Sequence, residues 1–505
     1  MRKVGVRSQK QEARSKKPEA RSQKQEPRSQ KERDLGRSAQ EKKASTTCTP
    51  CKLPGLLCEL LPLASAFLLL TFLLLTSEKR MLRIIRSYNN RAVNKVLQAR
   101  LSGLRDAEAT ARRILEDVRR NGDRALVRYA RQFDGLDLRK TGFTMSSEEI
   151  GEAYRQVPPG FVAALDLAAR NIRAVARLQL PRPWQTALSA GIKLRQIVRP
   201  LERVACYIPG GRFALPSTVL MSAIPAQVAG VPEILIACPR PAATVLVAAD
   251  LLGLKRVFRL GGAQAIAAFA HGTESVPRVD KIVGPGNRYV AAAKRLVAGE
   301  CGIDFVAGPT ELVVLGSKGR PAWIAAELIA QAEHDADAVA VFITSSRQLA
   351  LQVQRSIAAL LGSPAGSAVA RKALSRQGAI IITGDAAEGV DLVNQFAPEH
   401  LTLLDDALGL LPQIRAAGSI FLGGYSAVAA GDYVAGTNHI LPTGGAARTR
   451  GGLSSADFVK MISVQKLSRQ GLSHLCRSIV TLATTEGLKA HAHSVETRFS
   501  NDPTA

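Results

Sequence analysis

The segment Gln331-Ala-Glu-His334 sets an amide oxygen and an imidazole three residues apart. On a helix, expected here over Ala322 to Asp335, side chains with that spacing share a face and can ligate one metal. Ile324 and Leu328 mark the buried stripe of that helix, and Gln331 continues it, so a polar side chain points where an apolar one is expected and needs a partner. A hydrogen-bonded glutamine meets that need as well as a metal does. Two further stretches carry ligand-type side chains: Asp432 to His439 in a glycine-rich loop, and His491-Ala-His493 near the C-terminus. Each also suits a solvated loop. With His493, the histidines His334, His400, His439 and His491 make five of the seven that fall in polar constellations of this kind, which favours a zinc site of nitrogen and oxygen donors. Pro398-Glu399-His400 stands just before the apolar run Leu401-Thr-Leu-Leu404, so a carboxylate and an imidazole sit where a strand begins. An imidazole titrates near neutral pH and can take a hydroxyl proton, while the adjacent carboxylate can activate water. A surface Glu-His pair is the alternative.

Three glycine turns offer a second chemistry: Tyr207-Ile-Pro-Gly-Gly211, Gly261-Gly-Ala-Gln264 and Gly284-Pro-Gly-Asn287. Turns of this kind at strand ends let backbone amides approach a pyrophosphate, and Gln264 and Asn287 can bond ribose or phosphate oxygens. None is a G-x-G-x-x-G fingerprint, and glycine at such turns also serves structure alone. Cys206 and Cys301 lie beside glycine-rich turns, yet the sequence places no base near either, so they are expected as small buried residues. Cys48-x-x-Cys51 has no second pair to complete a zinc knuckle.

The elements that position these residues alternate. Helical periodicity runs from Asp106, expected as an N-cap, to Arg131 with a break at Gly122, and again over Phe161 to Leu178. Short apolar runs at Val204, Ile234, Val257 and Lys281 then alternate with small-residue helices, as do runs at Glu311, Ala338 and Ala379. That alternation implies βαβ units and parallel sheets. The expected organisation is a dinucleotide-binding Rossmann-like domain over 204–309 and a second over 310–455. Residues 81–203 are expected to form an N-terminal helical region and the start of the catalytic domain, and 456–505 a helical arm packing on a partner subunit. The fold class is α/β with two doubly wound, incomplete Rossmann-like parallel-sheet domains.

The net charge of +26 is front-loaded: residues 1–80 hold 18 basic and 8 acidic side chains, leaving +16 for the other 425. No basic stripe interleaved with aromatics appears in that remainder, so no nucleic-acid partner is expected. Residues 7–33 repeat every seven residues without an apolar seam and are expected to be disordered. The uncharged, Leu-rich run 60–76 is either a membrane anchor or part of translated upstream sequence, with Met81 as the start. The expected location is cytoplasmic, or membrane-anchored if that run is used.

Seven motifs in order resemble the histidinol dehydrogenase family over roughly 81–498. They are Tyr207-Ile-Pro-Gly-Gly, Gly-Gly-Ala-Gln-Ala, Gly-Pro-Gly-Asn, Gly-Ile-Asp-x-x-Ala-Gly-Pro-Thr-Glu, Gln-Ala-Glu-His-Asp, Ala-Pro-Glu-His-Leu and Gly-Asp-Tyr-x-x-Gly-Thr-Asn-His-x-Leu-Pro-Thr. The resemblance implies two successive NAD-linked oxidations of L-histidinol, through the aldehyde, to L-histidine. It implies one Zn²⁺ per subunit on Gln331, His334, Asp432 and His491, the last supplied across a homodimer. It implies NAD contacts at Tyr207, Gln264 and Asn287, with catalysis by Glu399 and His400. Substrate contacts are implied at Thr310, Gln331, His334, His400, Asp432, Glu486 and His491. Thr310 stands where the family usually has Ser; the hydroxyl survives and a methyl is added. A related zinc and NAD enzyme for another polar alcohol, such as sulfopropanediol, is a rival reading, because the arginines in Gly445 to Gly452 could meet a sulfonate. A tethered binding protein with an idle body is another.

Overall fold

The computed structural model describes residues 82–99, 104–210, 214–363 and 367–500. The heptad repeat, the Leu-rich run and Met81 lie outside them, and among the described residues no helix is long and apolar enough to cross a membrane.

Strand β1 (Arg83–Arg86) is followed by helices α1 (Asn90–Ala99) and α2 (Leu104–Tyr129). Gly122 interrupts α2 with φ +48° and ψ −132°, and a Cβ there would strike the Glu274 carboxylate. Because α2 starts at Leu104, Asp106 is a first-turn residue and not the cap; its charge there faces the positive end of the helix. Helix α3 (Phe161–Gln179) leads to β2 (Trp184–Ser189) and β3 (Ile192–Pro200).

Strict alternation begins at β4 (Arg203–Tyr207). It continues through α4 (Pro216–Ala229), β5 (Glu233–Ala237), α5 (Ala243–Leu251), β6 (Val257–Phe258), α6 (Gly262–His271), β7 (Lys281–Val283), α7 (Arg288–Val297) and β8 (Gly302–Ile303). The five strands form an all-parallel sheet in the order β6-β5-β4-β7-β8. Its strands are continuously apolar because helices cover both faces. Val204, Cys206, Ile234 and Ile236 pack against α3, α4 and α5, while Ala205, Tyr207, Leu235 and Ala237 pack against α2, α6 and α7.

The second sheet uses β9 (Glu311–Leu315), α8 (Pro321–Ala332), β10 (Val339–Thr344), α9 (Arg347–Gly362), α10 (Ala368–Gln377), β11 (Ala379–Ile382), α11 (Ala386–Phe396), β12 (His400–Leu403), β13 (Ser419–Leu422) and α12 (Val428–Tyr433). Its order is β1-β11-β10-β9-β12-β13, again all parallel. The N-terminal strand β1, expected in a helical region, thus pairs with β11 at the edge of this sheet. With β1 set aside, both sheets run third, second, first, fourth, fifth along the chain. The winding therefore reverses between β4 and β7 in one and between β9 and β12 in the other.

The C-terminal region is not helical throughout. Strand β14 (Val459–Leu467) pairs antiparallel with all of β3, which pairs with β2 on its other side, before α13 (Arg469–Thr485) and α14 (Lys489–Glu496) follow. Val459, Ile462 and Val464 explain the strand, since β-branched side chains fit a pleated surface. Trp184, Leu188, Met461, Ile462 and Leu482 remain exposed on this layer. The fold is α/β, with two doubly wound, incomplete Rossmann-like sheets, N-terminal helices and a C-terminal helical arm.

Candidate active site

Strands β9 and β12 are neighbours in parallel register, His400 opposite Leu312, so Thr310 and Glu399 meet at their amino ends. Glu399 is buried, and its Oε2 accepts hydrogen bonds from Thr310 Oγ1 at 2.6 Å and from Glu311 N at 2.8 Å. Gln331, on the last turn of α8, is buried and donates its amide Nε2 to Thr310 Oγ1. A relay therefore links Gln331, Thr310 and Glu399. It also answers the demand that Gln331 find a partner, and it leaves the amide oxygen of Gln331 as an acceptor.

His400 is buried at the first position of β12. Its Nδ1 lies 3.1 Å from the Glu311 carbonyl and 3.7 Å from Glu399 Oε2. Its Nε2 lies 3.5 Å from Asp432 Oδ1, within ion-pairing reach, yet it makes no hydrogen bond to the protein. A carbonyl can only accept, so Nδ1 carries a proton and Nε2 is the basic nitrogen in the neutral ring. Burial alone would depress the His400 pKa, but the Glu399 and Asp432 carboxylates and the Glu311 carbonyl outweigh it and lift it to about 9. Burial raises the Glu399 pKa against the pull of His400. For Asp432, burial is overcome by His400, His439 and His334, and the pKa is lowered.

The helix expected to carry both Gln331 and His334 stops at Ala332. The chain turns at once to reach β10, with Asp335 Oδ1 accepting from Asp337 N at 2.8 Å and the Asp335 carbonyl from Ala338 N. His334 is thus in the turn and not on the helix, although its charge is still felt by Asp432. His439 is half-buried between the two halves of the site: its Nδ1 is 2.8 Å from the Asp432 carbonyl and its Nε2 is 3.3 Å from Thr218 Oγ1 on the first turns of α4. Asn438 Nδ2 donates to the Met221 carbonyl at 2.7 Å. Asp432 itself sits on α12 and not in the expected loop, and the segment from Val434 to His439 is thereby pinned to the first sheet's helix layer. Burial lowers the His439 pKa, consistent with a neutral, structural ring.

The three glycine turns lie at the carboxyl ends of the first sheet. The Tyr207 hydroxyl, its pKa pushed up by burial, accepts from Gly262 N at 3.1 Å. Gln264 Nε2 donates to Asp134 Oδ2 at 3.3 Å, while its buried Oε1 has no partner. Asn287 caps α7, its Oδ1 accepting from Tyr289 N and Val290 N. Cys206 and Cys301 are buried thiols whose pKa burial pushes up to about 12, so neither is a thiolate at neutral pH. Glu486 and His491 are exposed, and among the described residues no hydrogen bond or ion pair joins them to the cluster around His400.

Residues 98–499 match the family model described as histidinol dehydrogenase. The chain belongs to the histidinol dehydrogenase family. It is 48% identical over 400 residues to histidinol dehydrogenase from Syntrophotalea carbinolica, covering 78% of this chain and 93% of that one. It is 44% identical over 427 residues to the enzyme from Methanothermobacter thermautotrophicus, covering 83% and 100%. The crystal structure of histidinol dehydrogenase from Elizabethkingia anophelis matches with a TM-score of 0.79 at 34% identity, over 83% of this chain and 98% of that one.

Within this histidinol dehydrogenase fold, two carboxylates were not marked out in the sequence. Glu311 is fully buried, its side chain accepting from Gly444 N at 2.8 Å and Glu399 N at 3.3 Å while its carbonyl faces His400. Glu327, one turn before Gln331, accepts from Val428 N at 3.1 Å, and burial raises its pKa. The signal for Glu311 was a carboxylate opening the apolar run Glu311-Leu-Val-Val-Leu. The donor set suits zinc in type: a free amide oxygen, an imidazole and a carboxylate. Among the described residues no three His, Cys, Asp or Glu side chains gather as a metal cluster.

Proposed function

We propose that this chain oxidises L-histidinol through L-histidinal to L-histidine, with NAD as the electron acceptor. The observation that carries the proposal is His400: a buried imidazole whose Nδ1 is held by the Glu311 carbonyl and whose Nε2 is left without a partner beside Asp432. In this reading Gln331, His334 and Asp432, with His491 of a second copy, hold Zn²⁺, and Tyr207, Gln264 and Asn287 contact NAD. When bound, the nicotinamide would accept hydride and the zinc ion would supply a Lewis-acidic centre that orients the substrate.

The chain's own residues do the rest. His400 Nε2 takes the alcohol proton, and the Glu311 carbonyl favours the imidazolium that results by accepting from Nδ1. Glu399, its Oε2 already held by Thr310 and Glu311, takes a proton from the water that hydrates the aldehyde. His400 serves again when the diol is oxidised. Burial of Glu399 and His400 excludes bulk water and keeps the aldehyde from leaving. Thr310 contacts substrate while its hydroxyl keeps Gln331 and Glu399 in register. Glu486 and His491, exposed on an arm that also exposes Met461, Ile462 and Leu482, suit delivery into the site of a second copy, completing a homodimer.

The rival alcohol with a sulfonate is not favoured. The arginines offered for it are engaged: Arg448 donates to the Asn394 and Gln395 carbonyls, and Arg450 to the Asp304 carbonyl and Asp457. The named relatives are histidinol dehydrogenases. The test is stoichiometric. Purified protein given L-histidinol and NAD⁺ should form two NADH per histidine and lose activity on chelation, with Zn²⁺ restoring it; one NADH per turnover would contradict the proposal.

A further inference from the structure

Lys294 and Asp304 form an ion pair in which the side chains are only 2% and 1% exposed. Taking two charges out of water is unfavourable enough that an apolar pair of similar volume often folds as well or better. Stability alone therefore does not account for the pair, and what it holds does. Lys294 Nζ donates to the Gly284 carbonyl at 3.0 Å, and Asp304 Oδ2 accepts from Gly284 N at 2.8 Å. The N–H and the C=O of one glycine are thus both satisfied by these two charges.

Gly284 is the pivot of the turn. Strand β7 ends at Val283 and α7 begins at Arg288, so Gly284 sets the direction in which Pro285, Gly286 and Asn287 leave the sheet. Its φ of +113° disfavours any other residue, and a Cβ would collide with the Tyr207 carbonyl. Lys294 lies on α7 itself, so the helix reaches back beneath its own first turn. Asp304 Oδ1 also accepts from Phe305 N at 2.6 Å, and its carbonyl accepts from Arg450. The Arg450 guanidinium lies 5.2 Å from the centre of the Phe305 ring. The segment that follows the His439 loop is therefore fastened to the same aspartate.

We infer that Lys294 and Asp304 are positioning residues for the dinucleotide, holding the Gly284 to Asn287 turn in the shape its pyrophosphate contacts require without touching the ligand. The inference rests on the reading of Tyr207, Gln264 and Asn287 as NAD contacts. It deepens that reading by making the turn's geometry depend on two charges beneath it.

The test uses the full chain with NADH as probe, read by nicotinamide fluorescence, together with melting temperature and the KM values for NAD⁺ and L-histidinol. Lys294→Met and Asp304→Leu each leave a Gly284 group unpaired, and each should raise the NADH Kd and the NAD⁺ KM about tenfold or more, with the histidinol KM unchanged. The double variant Lys294→Met with Asp304→Leu replaces the pair by apolar side chains. It should regain part of the melting temperature that each single variant loses, because no unpaired charge stays buried, but not the NADH affinity, because the Gly284 N–H and C=O still lack partners. A double variant that regains both would reduce the pair to packing and overturn the inference, as would single variants that bind NADH like the parent. A parent protein that binds no NADH would overturn the dinucleotide reading and this inference with it.

Discussion

At the carboxyl ends of β4, β6 and β7 the first sheet sets its glycine turns, each followed by a helix N-terminus, the positive end of the helix dipole, which favours an anion. The second sheet, with the same strand order, sets Thr310, Glu399 and His400 at the amino ends of β9 and β12. Its carboxyl-end crevice, where the winding reverses and ligands of such sheets usually bind, is a cavity of about 490 Å³ lined by Glu327, Thr402, Leu404 and Tyr425. The difference teaches that one topology can serve two tasks. Binding a phosphate uses backbone at a turn, so it falls where loops and helix N-termini are. Moving a proton needs a side chain held from several directions, and the first residue of a buried strand, clamped by its neighbour's carbonyl, supplies that. The His439 loop joins the two ends by bonding Thr218 on α4 and the Asp432 backbone at once.

The largest effect should come from His400→Gln, which keeps a polar side chain but removes the base. A fall in kcat of about 10³-fold is expected, in the range of general-base loss, with NADH affinity unchanged. A fall below tenfold would break the assignment of chemistry to the second sheet's amino end.

A smaller effect concerns pH. The base works deprotonated, so kcat/KM should rise with pH and flatten above the His400 pKa, which the Glu399 and Asp432 carboxylates and the Glu311 carbonyl lift to about 9. A cation on Asp432 cancels part of that carboxylate's pull, so the plateau should come at lower pH when zinc is bound. Activity that declines with rising pH below the plateau would contradict His400 as the base.

Least affected should be Thr402→Val, at the other end of β12. The Thr402 hydroxyl is buried without a partner, so its removal should leave kcat/KM unaltered and raise stability by about 1 kcal/mol, read as melting temperature. A large loss of activity would place chemistry at both ends of the sheet and erase the contrast.

Much of this was legible in the sequence, for identifiable reasons. Fully buried parallel strands are continuous apolar runs, so β4, β5, β9, β10 and β11 stand out, and Glu399-His400 is conspicuous because two titratable residues open such a run. What escaped depends on tertiary context. The end of α8 at Ala332 is set by the turn that feeds β10, not by a breaker residue. Strand β1 is four residues whose partner lies almost 300 positions away. Glu311 looks like an exposed first residue until Gly444 and Glu399 are seen to donate to it. Glu486 and His491 were named only by the family resemblance, since neither opens an apolar run nor shares a helix face with another ligand candidate, and both are exposed in the chain.

The central claim is that Gln331, His334 and Asp432 gather one cation beside His400, at the amino end of the second sheet. An anomalous-difference map at the zinc edge, from crystals of the protein with L-histidinol, tests it most directly. The account predicts one peak per subunit within bonding distance of the Gln331 amide oxygen, the His334 ring, the Asp432 carboxylate and His491 of a second copy. A peak in the Thr402 crevice, or one bonded to none of these groups, would contradict it.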